Sequence, residues 1–301
     1  ILVTFILFSS LFMLTFYRIL NKENLFQMSS SESHLFIATI FLILGALFDD
    51  LIEIDAPKKL FFQVIAIAII VNSGYVFKLF ANNLLNIFLT FCLFVIIINS
   101  MNLIDGIDGL STGIFTLFVL TAIAVSLKFS IINPKYYILF SIFLGSIVSF
   151  LILNFPPAKV FLGDMGSQLF GWILSVCIVY YSSFFQFNYQ KIYLLSFISL
   201  PFYDVFFVMI KRFILRPGFL FNRILGIVKP DQNHIHHLVL LSGFSSNRTM
   251  GLLILFYFVC LIISMIPIFL NDFYFLIFII VLALNITFRI FFEHKLKIIK
   301  K

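Results

Sequence analysis

Ten long apolar runs constrain this chain more than any other feature. They lie at roughly residues 1–17, 35–48, 61–77, 84–101, 110–127, 136–153, 168–185, 192–210, 250–268 and 273–292. The run from Leu84 to Met101 contains no charged residue. About 20 apolar residues suffice to cross the hydrocarbon core of a bilayer as a helix. In lipid the backbone must satisfy its own hydrogen bonds, which leaves helices and closed barrels as the only spanning forms. Charged residues make up 11% of the chain, hydrophobic residues 62%, and mean hydropathy is +1.15. A soluble domain has about 25% charged residues. The expected fold is an all-α polytopic integral membrane protein, with residues 1–301 forming a single transmembrane domain.

Charge and cysteine content narrow the partners. The formal net charge is +7, but the Lys and Arg sit in short loops, where they fix orientation. No nucleic-acid partner is expected. Cys92, Cys177 and Cys260 all fall inside apolar runs, so they read as small buried hydrophobes and not as a disulfide or zinc framework. The first run lacks a basic leader and a cleavage site, so it reads as a span and not as a signal peptide.

A chain that spans repeatedly must alternate sides. The loops after the second, fourth, sixth, eighth and tenth runs therefore share one face. The islands with motif-like clusters fall there: Asp49-Asp50 with Lys58 and Lys59, then NLIDGIDGLSTG at 102–113, then Asn154 and FLGDMGSQ at 161–168, then the long 211–249 loop with HIHH at 234–237; the opposite loops, such as 18–34, hold no comparable cluster. Of the 20 Lys and Arg residues, 14 lie on or near this face and 6 on the other. The positive-inside rule makes the motif face cytoplasmic.

Each island has a chemical reading. An acidic pair such as Asp49-Asp50 can hold Mg²⁺, or one member can act as a base whose pKa the other raises. Equally, it can be two solvated acids ending a helix. Asp105 and Asp108 are each followed by glycine, which lets the backbone turn and lets a ligand approach closely. The spacing is not that of an EF-hand. In FLGDMGSQ, Ser167 can cap a helix whose free N–H groups favour phosphate, with Asp164 on a bridging Mg²⁺. Asn154 and Phe161 offer an amide and a ring to a base. His234, His236 and His237, with Lys211, Arg212, Arg216, Arg223 and Lys229, suit a diphosphate. Asp204 lies inside the eighth run, where an ionisable group is either functional or paired internally.

The order DD, NxxDGxDGL, Nx₉D within GDxGS, then HxHH, resembles the polyprenyl-phosphate N-acetylhexosamine-1-phosphate transferases, glycosyltransferase family 4. The HIHH form resembles the N-acetylglucosaminyl branch. PKKLFFQ, at 57–63, matches the family as well. The resemblance implies eleven spans, so this chain is expected to hold the second to the eleventh and to lack the first span and loop. It implies transfer of an N-acetylhexosamine-1-phosphate from a UDP-sugar, UDP-GlcNAc by default, to undecaprenyl phosphate in the bacterial inner membrane.

By the same resemblance, Asp164 is the ligand for Mg²⁺, or for Mn²⁺ in its place. Asp49 is the candidate base, with Asp50 beside it. Asp105 and Asp108 line the site. Gly106, Ile107, Asp108, Asn154 and Phe161 meet the uridine. His234, His236 and His237 lie near the sugar-diphosphate, and Lys59, Arg212 and Arg216 contact substrate. A homodimer is compatible with such a protein. Two departures stand out: Asp231 is followed by Gln232 where the family reads Asp-Arg, and 213–230 is longer than usual. The rival reading is a secondary transporter with intramembrane acids, and Asp204 is the residue that fits it.

Overall fold

The computed structural model describes residues 30–52, 54–129, 135–215 and 233–299. The first apolar run and Arg216, Arg223, Lys229 and Asp231 lie outside them. The described residues form helices and no strand. In chain order they are α1 (Ser30–Ile52), α2 (Ala56–Asn72), α3 (Asn83–Ile104), α4 (Leu110–Phe129), α5 (Lys135–Asn154), α6 (Gly163–Ser182), α7 (Asn188–Tyr193), a 3₁₀ turn (Leu194–Ile198), α8 (Ser199–Leu215), α9 (Ile235–Leu241), α10 (Ser246–Leu270) and α11 (Tyr274–Ile299). Among the described residues, seven segments are long and apolar enough to cross a membrane. The runs expected at 61–77 and 136–153 are helical too, as α2 and α5.

Local chemistry places the helix ends. Pro57 sits in the first turn of α2, where its missing N–H costs nothing. The helix stops at Asn72, and Gly74, with φ +97°, turns the chain out. Asn82 caps α3 by accepting from the N–H groups of Leu84 and Leu85. The run expected at 168–185 begins five residues earlier, because Gly163 to Gln168 form the polar first turns of α6. Hydropathy undercounts such turns.

The interior is built around α6, the most enclosed of the long helices, whereas α1 and α11 are the least enclosed. α6 lies directly on α3. A Cβ at Gly171 would sit 2.5 Å from Ile98 Cα, so only glycine lets these two backbones meet. Phe115 of α4 stacks on Phe170 of α6 with ring centroids 4.0 Å apart. Trp172 donates to Thr39 Oγ1 of α1 at 3.0 Å, giving the buried indole N–H its partner. Large side chains such as Leu84, Phe88, Ile152 and Phe291 point outward, as lipid-facing positions do.

The two ends of the bundle differ. At one end Tyr189, Tyr193 and Tyr274 cluster, and Lys191 donates to Lys78 O. The acidic and histidine motifs gather at the other, where α1, α3 and α5 finish and α2, α4 and α6 begin.

Candidate active site

Three helices deliver one charged cluster. Lys59, in the first turn of α2, is paired with Asp49 near the end of α1, and its ammonium lies 2.8 Å from Asp164 Oδ2 at the start of α6. Asp49 is buried, and its Oδ1 also accepts from Ile54 N at 3.1 Å. Asn102, in the last turn of α3, adds its amide 3.5 Å from the same Asp164 oxygen. Its Oδ1 accepts from Ser167 Oγ at 2.7 Å. Asn102 belongs to NLIDG but had no role in the sequence reading, although its place just ahead of the two acids was a usable signal.

Asp50 does something the sequence did not show. Its Oδ1 accepts from Asp164 N at 2.9 Å and its Oδ2 from Met165 N at 3.2 Å. It therefore caps α6 from another helix. The expectation that Ser167 caps this helix is corrected: Ser167 lies inside α6 and turns its hydroxyl to Asn102. The N–H groups expected to receive phosphate are likewise taken by Asp50, a carboxylate suited to the positive helix end. Gly163 permits this approach. Its φ is +71°, and a Cβ there would lie 3.1 Å from Asp50 Oδ2.

One helical turn deeper lies a second polar layer. Gln63 Nε2 donates to Gln168 Oε1 at 3.2 Å, and Asn99 Nδ2 donates to Gln63 Oε1 at 2.9 Å. Gln63 follows Lys59 by four residues, and Gln168 follows Asp164 by four. The i,i+4 spacing thus stacks neutral amides beneath the charged groups on the same helix faces.

The NLIDGIDGL loop forms the adjoining wall. Asn154 Oδ1 accepts from Gly109 N at 3.0 Å and from Thr112 Oγ1 at 2.9 Å, while its Nδ2 donates to Val160 O at 2.8 Å. Asp108 Oδ2 accepts from Ala158 N at 3.1 Å. These two residues stitch the 155–161 loop onto the DGIDG loop. Ile107 is buried, whereas the Phe161 ring is 72% exposed. Asp105 ends α3. Burial first, then the charges of Asp164 and Asp108, push its carboxyl well above the usual carboxylate range.

The histidines close the other side. His236 lies on α9, and a Cβ on Gly106 would sit 2.9 Å from its Nε2. The glycine is what lets the imidazole rest on the loop backbone. The His236 and His237 ring centroids are 4.1 Å apart, and those of His234 and His236 are 6.1 Å apart. Burial, with His237 beside it, pulls the His236 pKa down to about 4, so the ring is neutral at pH 7. His234 Nδ1 lies 2.9 Å from Asp204 Oδ2. Asp204 is also paired with Arg289, at 2.6 Å. It is therefore an internally paired acid and not a lone intramembrane charge of the carrier type. Arg212 sits in the last turn of α8.

Among the described residues no three His, Cys, Asp or Glu side chains converge on a ready metal site. Mg²⁺ does not need one, since it is commonly held by one or two carboxylates together with water and substrate phosphates. Asp49 and Asp164 already share one cation, the Lys59 ammonium, and Asn102 stands beside them. The two carboxylates are hard oxygen donors, the kind that Mg²⁺ and Mn²⁺ take.

The fold and the site define a polytopic membrane protein with an acidic, lysine- and histidine-bearing cluster at one end of its bundle. The profile of glycosyl transferase family 4 matches residues 33–182, and the chain belongs to that family. It is 30% identical over 221 residues to the probable undecaprenyl-phosphate N-acetylglucosaminyl 1-phosphate transferase of Bacillus subtilis, covering 69% of this chain and 58% of the relative. It is 31% identical over 209 residues to the undecaprenyl-phosphate alpha-N-acetylglucosaminyl 1-phosphate transferase of Thermotoga maritima, covering 68% and 61%. With the decaprenyl-phosphate N-acetylglucosaminephosphotransferase of Mycobacterium tuberculosis it shares 28% over 234 residues, covering 67% and 55%. The chain thus spans about three-fifths of the length of these relatives.

Proposed function

We propose that this protein transfers N-acetylglucosamine-1-phosphate from UDP-N-acetylglucosamine to a polyprenyl phosphate, undecaprenyl phosphate by default, and releases UMP. The observation that carries the reading is the convergence of Asp49, Lys59, Asp164 and Asn102 with the histidines of α9 around one glycine-hinged loop, at the end of an apolar bundle. The relatives' names support the donor, since all three contain N-acetylglucosamine. They differ in the acceptor, undecaprenyl or decaprenyl.

The chemistry joins two anions. An oxygen of the lipid phosphate attacks the β-phosphorus of the UDP-sugar, a new P–O bond forms, and the bond to the α-phosphate oxygen breaks to release UMP. Little covalent work falls to the protein, so positioning and charge neutralisation dominate. Asp49 takes any proton on the attacking phosphate. Lys59, at the pivot between Asp49 and Asp164, offers positive charge to the diphosphate. Asp164, with Asp49 and Asn102 beside it, would hold Mg²⁺ or Mn²⁺, and the ion supplies further charge to the phosphates. The exposed Phe161 ring and the Gly106–Asp108 backbone receive the uridine, and His234, His236 and His237 face the sugar-diphosphate. Arg212, in the last turn of α8, adds further positive charge. The prenyl chain remains in the bilayer, and the site faces the cytoplasm of the bacterial inner membrane.

The test is an assay of the purified full-length enzyme with labelled UDP-GlcNAc, undecaprenyl phosphate and Mg²⁺. Lipid-linked label and UMP should appear together, and EDTA should stop both. A panel with UDP-GalNAc then reads donor choice. Absence of lipid-linked product with every UDP-sugar and acceptor would overturn the proposal.

A further inference from the structure

Arg289 and Asp204 lie 85 residues apart and outside every acidic and histidine motif, yet they hold the histidine segment at three consecutive residues. Arg289 Nη2 donates to Asn233 O at 2.6 Å. Asp204 Oδ2 meets His234 Nδ1 at 2.9 Å. Asp204 Oδ1 accepts from Ile235 N at 2.9 Å and from Arg289 Nη1 at 2.6 Å. Asp204 and Arg289 are both buried. Arg289 is braced in turn: its Nε donates to Glu293 Oε1 at 3.3 Å, Lys211 Nζ donates to the same oxygen at 2.9 Å, and the guanidinium lies 4.6 Å from the centre of the Phe207 ring.

A buried ion pair is a poor way to gain stability, because desolvation offsets the attraction. It is a good way to fix geometry. The carboxylate only accepts, so a neutral His234 must carry its proton on Nδ1 and keep its lone pair on Nε2. The guanidinium fork holds the carboxylate and the Asn233 carbonyl at once in a rigid planar geometry that a lysine's flexible point charge does not supply. The segment so held opens directly into α9, whose His236 rests on Gly106 of the nucleotide loop.

We propose that Asp204 and Arg289 are positioning residues for the transfer reaction: together they set the His234 tautomer and seat the histidine helix against the DGIDG loop. The inference rests on the function proposed above, and it makes the second half of α11 part of the active-site machinery. Neither residue touches substrate. Both act through residues 233–235.

The experiment compares Asp204→Asn/Arg289→Gln, which removes both charges and so leaves no unpaired buried ion, with wild-type enzyme. Turnover is measured per folded protein recovered from size exclusion, and hydrogen exchange is read over 233–241. The expected result is a kcat about 10–100-fold lower, as for loss of groups that orient a functional histidine. KM for UDP-GlcNAc should change little, and exchange over 233–241 should rise. A purely structural role would lower the yield of folded protein but not the kcat of what folds. If the double variant does not fold, Arg289→Lys keeps the charge, loses the fork and should show the same signs to a lesser degree. Unchanged kcat, or lower kcat without faster exchange, overturns the proposal. If wild-type enzyme makes no lipid-linked product, the function has failed and not the anchor, and the exchange comparison alone then decides whether the segment is seated this way.

Discussion

The Asp50 carboxylate lies on α1 but ends another helix: it accepts from Asp164 N at 2.9 Å and Met165 N at 3.2 Å. The acid beside it in sequence, Asp49, pairs with Lys59. Two adjacent aspartates thus do separate tasks, one aiming the helix that carries Asp164 and the other facing the cation.

Replacing Asp50 should therefore cost stability and activity together. Asp50→Ala leaves two α6 N–H groups uncapped and should lower stability by about 1 kcal/mol. Asp50→Asn keeps one acceptor and should lose less. Thermal unfolding of the purified protein in detergent measures this. An Ala variant that melts with wild type would show that the cap is not needed.

At Asp164 the expectation is different. Asp164→Asn keeps size and hydrogen bonding but halves the carboxylate charge around Lys59. Folding should be preserved while Mg²⁺-dependent turnover drops by about 10²-fold or more, the scale on which groups that stabilise transition-state charge act. Full turnover in this variant would remove Asp164 from the metal assignment.

Much of this architecture was readable from sequence, and what was missed shares one cause. A bilayer forces apolar runs to be continuous, so the nine runs within the described residues lie largely in helices, although α2 stops at Asn72, short of the expected 77. Alternation of sides then brought the motifs to one end. What could not be read were side-chain pairings between distant segments: Asp50 with the start of α6, or Arg289 with Asp204. Arg289 looked like one more basic residue near a span end, since nothing local marks a partner 85 residues away. The eighth run, at 192–210, reads as one helix by hydropathy, but the structure breaks it into α7, a 3₁₀ turn and α8. Hydropathy is blind to such a change, because every residue of the 3₁₀ turn, Leu194–Ile198, is apolar or small.

Gly106→Ala tests the contact between the two walls of the site. A Cβ would lie 2.9 Å from His236 Nε2, closer than the imidazole can accept without moving. Because the glycine is exposed and its φ is not in the left-handed region, the global fold should tolerate the methyl. Turnover should fall while the melting temperature stays near wild type. Loss of both in proportion would make Gly106 a folding residue only.

The amide layer offers a test of stability apart from chemistry. Gln63→Leu matches the volume roughly but strands Gln168 Oε1 and takes one of two acceptors from Asn99 Nδ2, which keeps Val95 O. Stranding buried polar groups costs about 1–3 kcal/mol each. Gln63→Leu should melt well below wild type, and Gln168→Leu in the same chain should recover part of the loss by removing the stranded partner. If the pair of substitutions is strictly additive, the layer is not coupled.

His236 sets a pH dependence with a definite sign. Burial, then His237, and more weakly His234, hold its folded pKa at about 4, below the ordinary histidine value of 6.5, and Asp204 opposes them. Between these values the unfolded chain binds the proton that the folded chain refuses. Stability therefore rises with pH across this window: it is fully present above about pH 6.5 and is lost as pH falls toward about 4. The upper bound is about 3 kcal/mol, at ~1.4 kcal/mol per pH unit. The ring's Nδ1 has no hydrogen-bond partner among the described residues, so protonation would add a donor with nowhere to point. Melting curves from pH 7 to pH 4 should show the decline in wild type, and His236→Gln should flatten it. A variant with the same slope as wild type would move the titration to another group.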